Sequence, residues 1–311
     1  MLHLRIVSPP ERTDQVLAVL REQRGTAHLC LFPQAALEPA GDVIEVDVAR
    51  EAADDVLAGI GADELAEVGA VQLTDGGTLL SEQGKQAEWS APGDASDAVV
   101  WDDLIARTGE ESRLSGTFAA FLSLACLLAA VGVVTDSEVT VVGAMVLGPE
   151  FGPLAAIVVG VTRRRWELVR QAVLALVVGF PVAMVLTVGA TMLGQALGLL
   201  SAGSLADNEH VAFVYQVGWA SLIVSLLAGA AGMLSLTSAK SGALVGVFIS
   251  VTTVPAAGYA AVAATLGAWD RFFASTAQLA VNLTGIVLAA SVVLLMRSPR
   301  RRTGDSNAPI V

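Results

Sequence analysis

Two cysteines in 311 residues, Cys30 and Cys126, leave no disulfide framework, and neither stands at a spacing that would hold a metal. Lysine occurs only at 85 and 240, a bias toward arginine that suggests a GC-rich bacterial genome and carries no chemistry. Charge is scarce as well: charged residues make up 15% of the chain, against roughly a quarter in soluble globular domains. With 54% hydrophobic residues and a mean hydropathy of +0.65, the chain is too apolar to be wholly soluble and must live partly in a bilayer. Enzyme signatures are missing. There is no HExxH, no GxSxG, no P-loop and no intramembrane Asp pair, so no enzymatic activity, ATP-driven pumping or cofactor is expected.

The net charge of −12 and a pI of about 4.6 sit oddly with that apolar composition until they are located along the chain. Residues 1–114 hold 8 basic and 22 acidic side chains, a net of −14, and residues 115–311 hold 10 and 8, a net of +2. An acidic soluble part and a near-neutral membrane part follow. Nucleic acid is excluded as a partner of the soluble part, because phosphate needs a basic footprint. The opening MLHLRIVSPPERTD has no apolar core of a signal peptide, so the acidic half is expected in the cytoplasm.

Residues 2–7 alternate, and Ser8-Pro9-Pro10-Glu11 opens a helical run through Val16, Leu17, Val19 and Leu20 that stops at Gly25. Residues 27–32 alternate again, a Pro/Ala/Gly loop follows, and 43–48 make a third strand. A helical stretch over 51–66, broken at Gly59 and Gly61, precedes a last strand at 69–73. This βαββαβ order over residues 1–75 predicts an α+β ferredoxin-like domain. Leu2, Leu4 and Ile6 point to the helices, and His3 and Arg5 to an open sheet face suited to another subunit or a ligand domain. Residues 76–97 read as a linker without apolar period, and 98–114 as an amphipathic juxtamembrane helix with Val100, Trp101, Leu104 and Ile105 on one side.

From 115 to 296, six segments of about 20 apolar residues stand at 116–134, 139–161, 168–193, 211–235, 242–266 and 272–296. Arg113, Arg163, Arg164, Arg165, Lys240 and Arg297, with the basic tail 297–311, fall on one side of such a topology; Asp136, Glu138, Asp207, Glu209 and Asp270 fall on the other. The positive-inside rule then puts both termini in the cytoplasm of a bacterial plasma (inner) membrane. Three helices plus three invert one half relative to the other, and the second and fifth helices, VVGAMVLGPEFGPLAA (141–156) and LVGVFISVTTVPAAG (244–258), each carry a small-residue start and a proline break. Pro149, Pro153 and Pro255 would each free a carbonyl that hydrocarbon cannot satisfy but a cavity, ion or neighbouring helix can. Pro181 is read simply as a kink.

The segments VGVVTDSEVTVVGAMVLGPEFGPL (131–154), RRRWELVRQAV (163–173), LAGAAGMLSLTSAKSGALVGVFISVTTVPAAG (227–258) and QLAVNLTGIVLAA (278–290) together resemble the bacterial hydrophobic membrane-protein family known only as domain-of-unknown-function family 389. The resemblance rests on Thr135-Asp136-Ser137, Gly143-Ala144-Met145 and Gly152-Pro153. This chain departs from the pattern at Glu150-Phe151, where an apolar pair is expected, and at Pro255, where the pattern has two prolines. The resemblance implies a polytopic membrane protein and no particular activity.

Glu150 is the sharpest candidate: a carboxylate between Gly148-Pro149 and Gly152-Pro153 in an apolar stretch, where an ionisable group costs several kcal/mol unless it meets water or a partner. It is read either as a proton- or cation-coupling group or as a helix-end residue in cytosolic water. Thr252, Thr253, Gln278, Asn282 and Thr284 make a second polar set, with Gln278 and Asn282 on one helix face. They line a pathway with Glu150 on one reading and bond helices together on the other, which is the commoner role. Gly148 with Gly152, and Gly242 with Gly246, permit close helix approach. Arg163, Arg164 and Arg165 are topogenic first and an anionic-lipid site second. His3, His28 and His210 read as surface residues, and no metal site is expected.

The sequence thus reads as a six-helix polytopic membrane protein with a ferredoxin-like cytosolic domain that transports or conducts a small solute or ion, the soluble domain regulating it or holding a homo-oligomer together. Its partners would be the lipid bilayer, further copies of itself and that solute or ion. The rival reading is a membrane-anchored sensor or scaffold whose cytosolic domain binds an effector, without transport.

Overall fold

A computed structural model describes residues 1–77, 79–91, 93, 98–198, 218–238 and 252–297. They divide into two compact units, one made chiefly of Met1–Leu104 and the other of the chain beyond, and each is described by itself.

In the first unit the alternating segments become strands β1 (Leu2–Ser8), β2 (Thr26–Leu37), β3 (Ala40–Val48) and β4 (Ala70–Asp75), with helix α1 (Pro10–Glu22) after β1 and helices α2 (Ala53–Ile60) and α3 (Ala62–Val68) after β3. The sheet order is β2-β3-β1-β4, every neighbour antiparallel. Leu4 of β1 stands opposite Val46 and Leu73. Leu2, Leu4, Ile6, Ile44, Val46 and Val48 form one buried face that packs with Val16, Leu17 and Leu20 of α1 and Val56, Leu57 and Ile60 of α2. Two glycines with positive φ shape the connections. Gly25 (φ 86°) ends α1, where a methyl group would also approach the Ala52 Cβ to 2.8 Å, and Gly61 (φ 65°) divides α2 from α3.

Two segments differ from the sequence expectation. β2 runs twelve residues, through the stretch read as a loop, because it is an edge strand on which Pro33, lacking an N–H, removes no essential ladder bond. The stretch read as a linker holds helix α4 (Glu82–Ser90). Its start is set by a cap, Ser81 Oγ accepting from the Gly84 N–H, and it packs on β2 with Ala87 buried, rather than being set by any hydrophobic period.

The second unit is helical, and it begins within helix α5 (Trp101–Glu111), the amphipathic segment foreseen at 98–114. Then come α6 (Gly116–Val134), α7 (Glu138–Leu147), α8 (Phe151–Thr162), α9 (Trp166–Ala196), α10 (Trp219–Thr237), α11 (Thr253–Thr265) and α12 (Trp269–Arg297). Among the described residues four helices, α6, α9, α10 and α12, are long and apolar enough to cross a membrane, and α7 with α8, bent by 46° at their break, add a fifth if they form one span. The segment expected to span 242–266 is described from Thr252 onward only. Lys240, Gly242, Gly246, Asp207, Glu209, His210 and the tail beyond Arg297 lie outside the described residues.

Helix starts recur at a near-constant interval. Gly116 and Trp219 each open a helix of 19 residues and stand 103 apart; Phe151 and Thr253 open α8 and α11, 102 apart; Trp166 and Trp269 open α9 and α12, 103 apart. The turn between each of the last two pairs is also the same. The N–H groups of Arg163, Arg164 and Arg165 donate to Val159, Val161 and Gly160, and those of Leu266, Gly267 and Ala268 donate to Val262, Ala264 and Ala263. Each turn carries one left-handed residue, Arg164 (φ 56°) or Gly267 (φ 72°). Pro181 lies inside α9, which continues through it.

Small residues bring these helices together. A methyl group at Gly258 of α11 would come within 2.7 Å of the Ala129 Cβ and 2.8 Å of the Cys126 carbonyl on α6, so the two backbones almost touch. At Gly116 nothing lies within reach. Gly258→Ala is therefore expected to lower stability by about 1–3 kcal/mol, while Gly116→Ala leaves it near wild type; thermal unfolding in detergent separates the two.

On the open face of the sheet, Asp47 accepts from His3 Nδ1 (3.0 Å) and His28 Nδ1 (2.9 Å), and His28 Nε2 meets Ser81 Oγ at 2.7 Å. Among the described residues no group of three or more His, Cys, Asp or Glu is arranged to hold a metal ion. Desolvation pushes the Asp47 carboxyl up, but its hydrogen bonds with the two histidines and their charge outweigh it and hold the group below the usual carboxylate range. A depressed folded value contributes stability that is present above the unfolded value and lost as pH falls through the folded one. The sheet should thus lose stability as pH drops below the ordinary Asp range, and Asp47→Asn should flatten that part of the curve; urea unfolding of the full chain across acid pH measures it.

Candidate functional site

The break between α7 and α8 is written in four residues. Pro149 has no N–H to give the Met145 carbonyl and biases Gly148 to an extended conformation (φ −67°, ψ 123°), so α7 stops. Glu150 then takes the N-cap position of α8, its carbonyl accepting from the Leu154 N–H at 3.3 Å. Pro153 falls at the third residue of α8, where its missing N–H would have had no helical partner. α11 starts the same way: Thr252 is the N-cap, its carbonyl accepts from Ala256 at 3.2 Å, and Pro255 is the third residue. Pro153 and Pro255 therefore begin helices and free no carbonyl inside them, which corrects the role expected of them from sequence. Only Pro149 lies in a break.

These two helix starts meet. Glu150 is 6% exposed and Thr253 fully buried, and the Thr253 hydroxyl donates to Glu150 Oε1. The alternative expected for Glu150, an end residue in cytosolic water, does not describe this placement. Thr252, next in sequence, accepts from Asn282 Nδ2 of α12 (2.8 Å). Asn282 Oδ1 accepts from Ser221 Oγ of α10 (3.2 Å), and Ser221 Oγ accepts from Gln278 Nε2. Three of the polar residues singled out from sequence, Thr252, Asn282 and Gln278, thus join three helices through Ser221, and the Glu150–Thr253 bond stands beside them across the Thr252–Thr253 peptide. Two acceptor oxygens in this cluster are buried without any hydrogen-bond partner: Glu150 Oε2 and Gln278 Oε1.

Glycines make the room. A methyl group at Gly148 would strike Glu150 Oε2 and come within 2.7 Å of Val254 Cγ2, so only glycine there admits both the carboxylate and α11. A methyl at Gly152 would come within 2.6 Å of the Glu111 Cβ. Glu111 is exposed at the end of α5, and the water it loses against its surroundings raises its carboxyl above the usual range against the opposing pull of Arg107. Sequence reasoning placed Glu111 only on the polar face of the 98–114 helix and did not name Ser221. For Ser221 a signal existed, since Ser221, Ser225 and Gly229 stand four apart and give α10 one small face, which meets Gly285 and the Ile286 backbone of α12. Thr284 bonds back to its own helix at Ala280. Arg163, Arg164 and Arg165 are exposed in the α8–α9 turn and take no part in the cluster.

A helical chain with apolar spans, a broken helix pair and a buried carboxylate at the break defines a membrane protein. Residues 145–288 match the model of the family described as "Domain of unknown function (DUF389)", a stretch that contains every candidate residue from Gly148 to Asn282. The family resemblance read from the sequence is shown by this match. The chain is also similar, at 24% identity over 195 residues, to an uncharacterized protein of Methanocaldococcus jannaschii; the match covers 63% of this chain and 58% of that relative. That relative is archaeal, whereas the family was named above as a bacterial one. No solved structure matches the chain.

Because the group that Gly148 makes room for is the Glu150 carboxylate, Gly148→Ala should destabilise the protein by about 1–3 kcal/mol. Adding Glu150→Ala should restore part of the loss by removing the struck oxygen. Thermal unfolding of the two single variants and the double variant tests this; a double variant weaker than the sum of the singles would refute it.

Proposed function

We propose that the protein is a membrane transporter or channel for a small solute or ion, working through the site where α8 and α11 begin. The observation that carries this reading is the buried Glu150 carboxylate, bonded across the two helix starts by Thr253 and left with one unpaired oxygen. An ionisable group in a membrane-spanning region is costly and is kept where it serves a pathway or a partner.

The proposed architecture has six spans in an inverted 3+3 arrangement. Its support is the 102–103-residue interval between paired helix starts, the identical turns that follow α8 and α11, and the matching proline in the first turn of each. Three spans per half turn one half over relative to the other, which brings two broken middle helices to one depth. The antiparallel order β2-β3-β1-β4 with α1 and α2 as crossovers is the arrangement a ferredoxin-like domain has, and supports that assignment for the first unit. The sorting of arginine supports cytoplasmic termini in a bacterial plasma membrane, with the first unit regulating the membrane part or joining copies of the chain. No enzymatic step is assigned. The alternative, an anchored sensor without transport, draws on the His3–Asp47–His28 group of the sheet face.

Proteoliposome flux decides between them. In the transport reading, purified protein carries a small cation or solute across sealed vesicles, and Glu150→Gln lowers the rate at least about tenfold, as loss of a charge-assisted contact predicts. An Asp47→Asn variant keeps the flux. Vesicles that stay tight with folded wild-type protein and every inorganic ion and small solute offered would favour the sensor.

A further inference from the structure

We propose that the Glu150–Thr253 cluster is a binding site for a small monovalent metal cation, with Na+ as its probe, coordinated by Glu150 Oε2 and Gln278 Oε1. The proposal rests on reading this site as the transport site and narrows that reading to its occupant.

The argument begins with the two orphan atoms. Glu150 Oε2 and Gln278 Oε1 are buried acceptors without a donor, in residues that are 6% and 0% exposed. Leaving such an acceptor unmatched in a dry interior costs free energy that the fold does not recover elsewhere. The two atoms belong to two hydrogen-bonded sets that meet at the Thr252–Thr253 peptide. Glu150 is tied to Thr253, Thr252 to Asn282, Asn282 to Ser221 and Ser221 to Gln278; Gln278 and Asn282 are one turn apart on α12, against which both α8 and α11 pack. Whatever satisfies two acceptors must be positive or a donor, and among the described residues no basic side chain pairs with Glu150.

Donor chemistry then selects the class. The hydrogen-bonding groups here are one carboxylate, the amides of Gln278 and Asn282 and the hydroxyls of Thr252, Thr253 and Ser221, a set of mainly hard oxygens, with the buried Cys126 thiol near enough to feel the Glu150 charge; such a set favours hard cations. One carboxylate supplies a single negative charge, which neutralises a monovalent ion. Ca2+ sites gather several carboxylates, and Mg2+ keeps several waters in near-ideal octahedral geometry, a poorer match to one carboxylate and one amide oxygen. The paired halves explain the single charge: Glu150 caps α8 where Thr252 caps α11, so one half contributes the charge and the other hydroxyls.

The test uses purified full-length protein in detergent with N-methylglucamine as the only other cation. NaCl, KCl, MgCl2 and choline chloride are titrated while thermal unfolding is followed, and radiolabelled sodium measures stoichiometry at equilibrium. Expected is a saturable rise in unfolding temperature with Na+ or K+, none with choline, and one ion per chain. Glu150→Gln and Gln278→Leu each weaken apparent affinity by more than about tenfold; if Glu150→Gln does not fold, Gln278→Leu and the choline comparison decide. Stabilisation by Mg2+ alone, or by acid pH with no response to any metal cation, overturns the proposal, the latter assigning the orphan oxygens to a proton. Na+ binding without vesicle flux overturns the transport reading and leaves the site standing; flux without Na+ or K+ binding overturns the site alone.

Discussion

Everything in the membrane unit is arranged around one hydrogen bond, from the Thr253 hydroxyl to the Glu150 carboxylate. In hydrocarbon no water is on hand to satisfy a polar atom, so a helix can be interrupted only where protein supplies the missing partners. The interruption at Gly148–Glu150 exposes the end of one helix and the start of another, and it is tolerated because α11 brings its own start to the same place. Gly148 admits that approach, α12 backs both helices, and the small face of α10 lets Ser221 reach Asn282. Remove the bond and the carboxylate loses its one side-chain donor.

The two helix starts that meet are alike in build: α8 and α11 each carry a proline at the third residue of the first turn and stand at the near-constant interval of 102 residues. What differs between the halves is informative. Glu150 and Phe151 stand where the second half has Thr252 and Thr253, and Phe151 packs its ring on Gly232 of α10. Function would reside in this asymmetry, since two identical starts would present either two hydroxyls or two mutually repelling carboxylates.

Much of this was legible in the sequence, and the parts that were not share a cause. Strands β1, β3 and β4 and helix α1 were read within a few residues because each has a buried and a solvated face, and burial imposes the period directly. Glu150 stood out because charge in an apolar run has few explanations. α4 escaped since it is fixed by the Ser81 cap and by contact with β2, neither of which leaves a hydrophobic period. Pro153 and Pro255 were located correctly and assigned the wrong effect, because a proline's consequence depends on its distance from the helix start, which sequence gives only to within a residue or two. Ser221 acts at a contact between segments distant in the chain, and the four-residue spacing of Ser221, Ser225 and Gly229 records the small face of α10 but not what it meets.

The geometry at the helix starts also bears on how tightly an ion would be held. Each helix presents the positive end of its dipole at its first turn, and α8 and α11 both turn that end toward the Glu150 carboxylate. Such dipoles favour negative charge at a helix start, against the burial that disfavours it. The same two positive ends repel the cation itself. A carboxylate stabilised by fixed dipoles attracts an ion less strongly than a bare one would, and a transport site requires that balance, since an ion must bind well enough to enter and weakly enough to leave. Were the site to carry an ion, an acid between two helix starts, rather than between two helix ends whose carbonyls would add to its pull, would favour release.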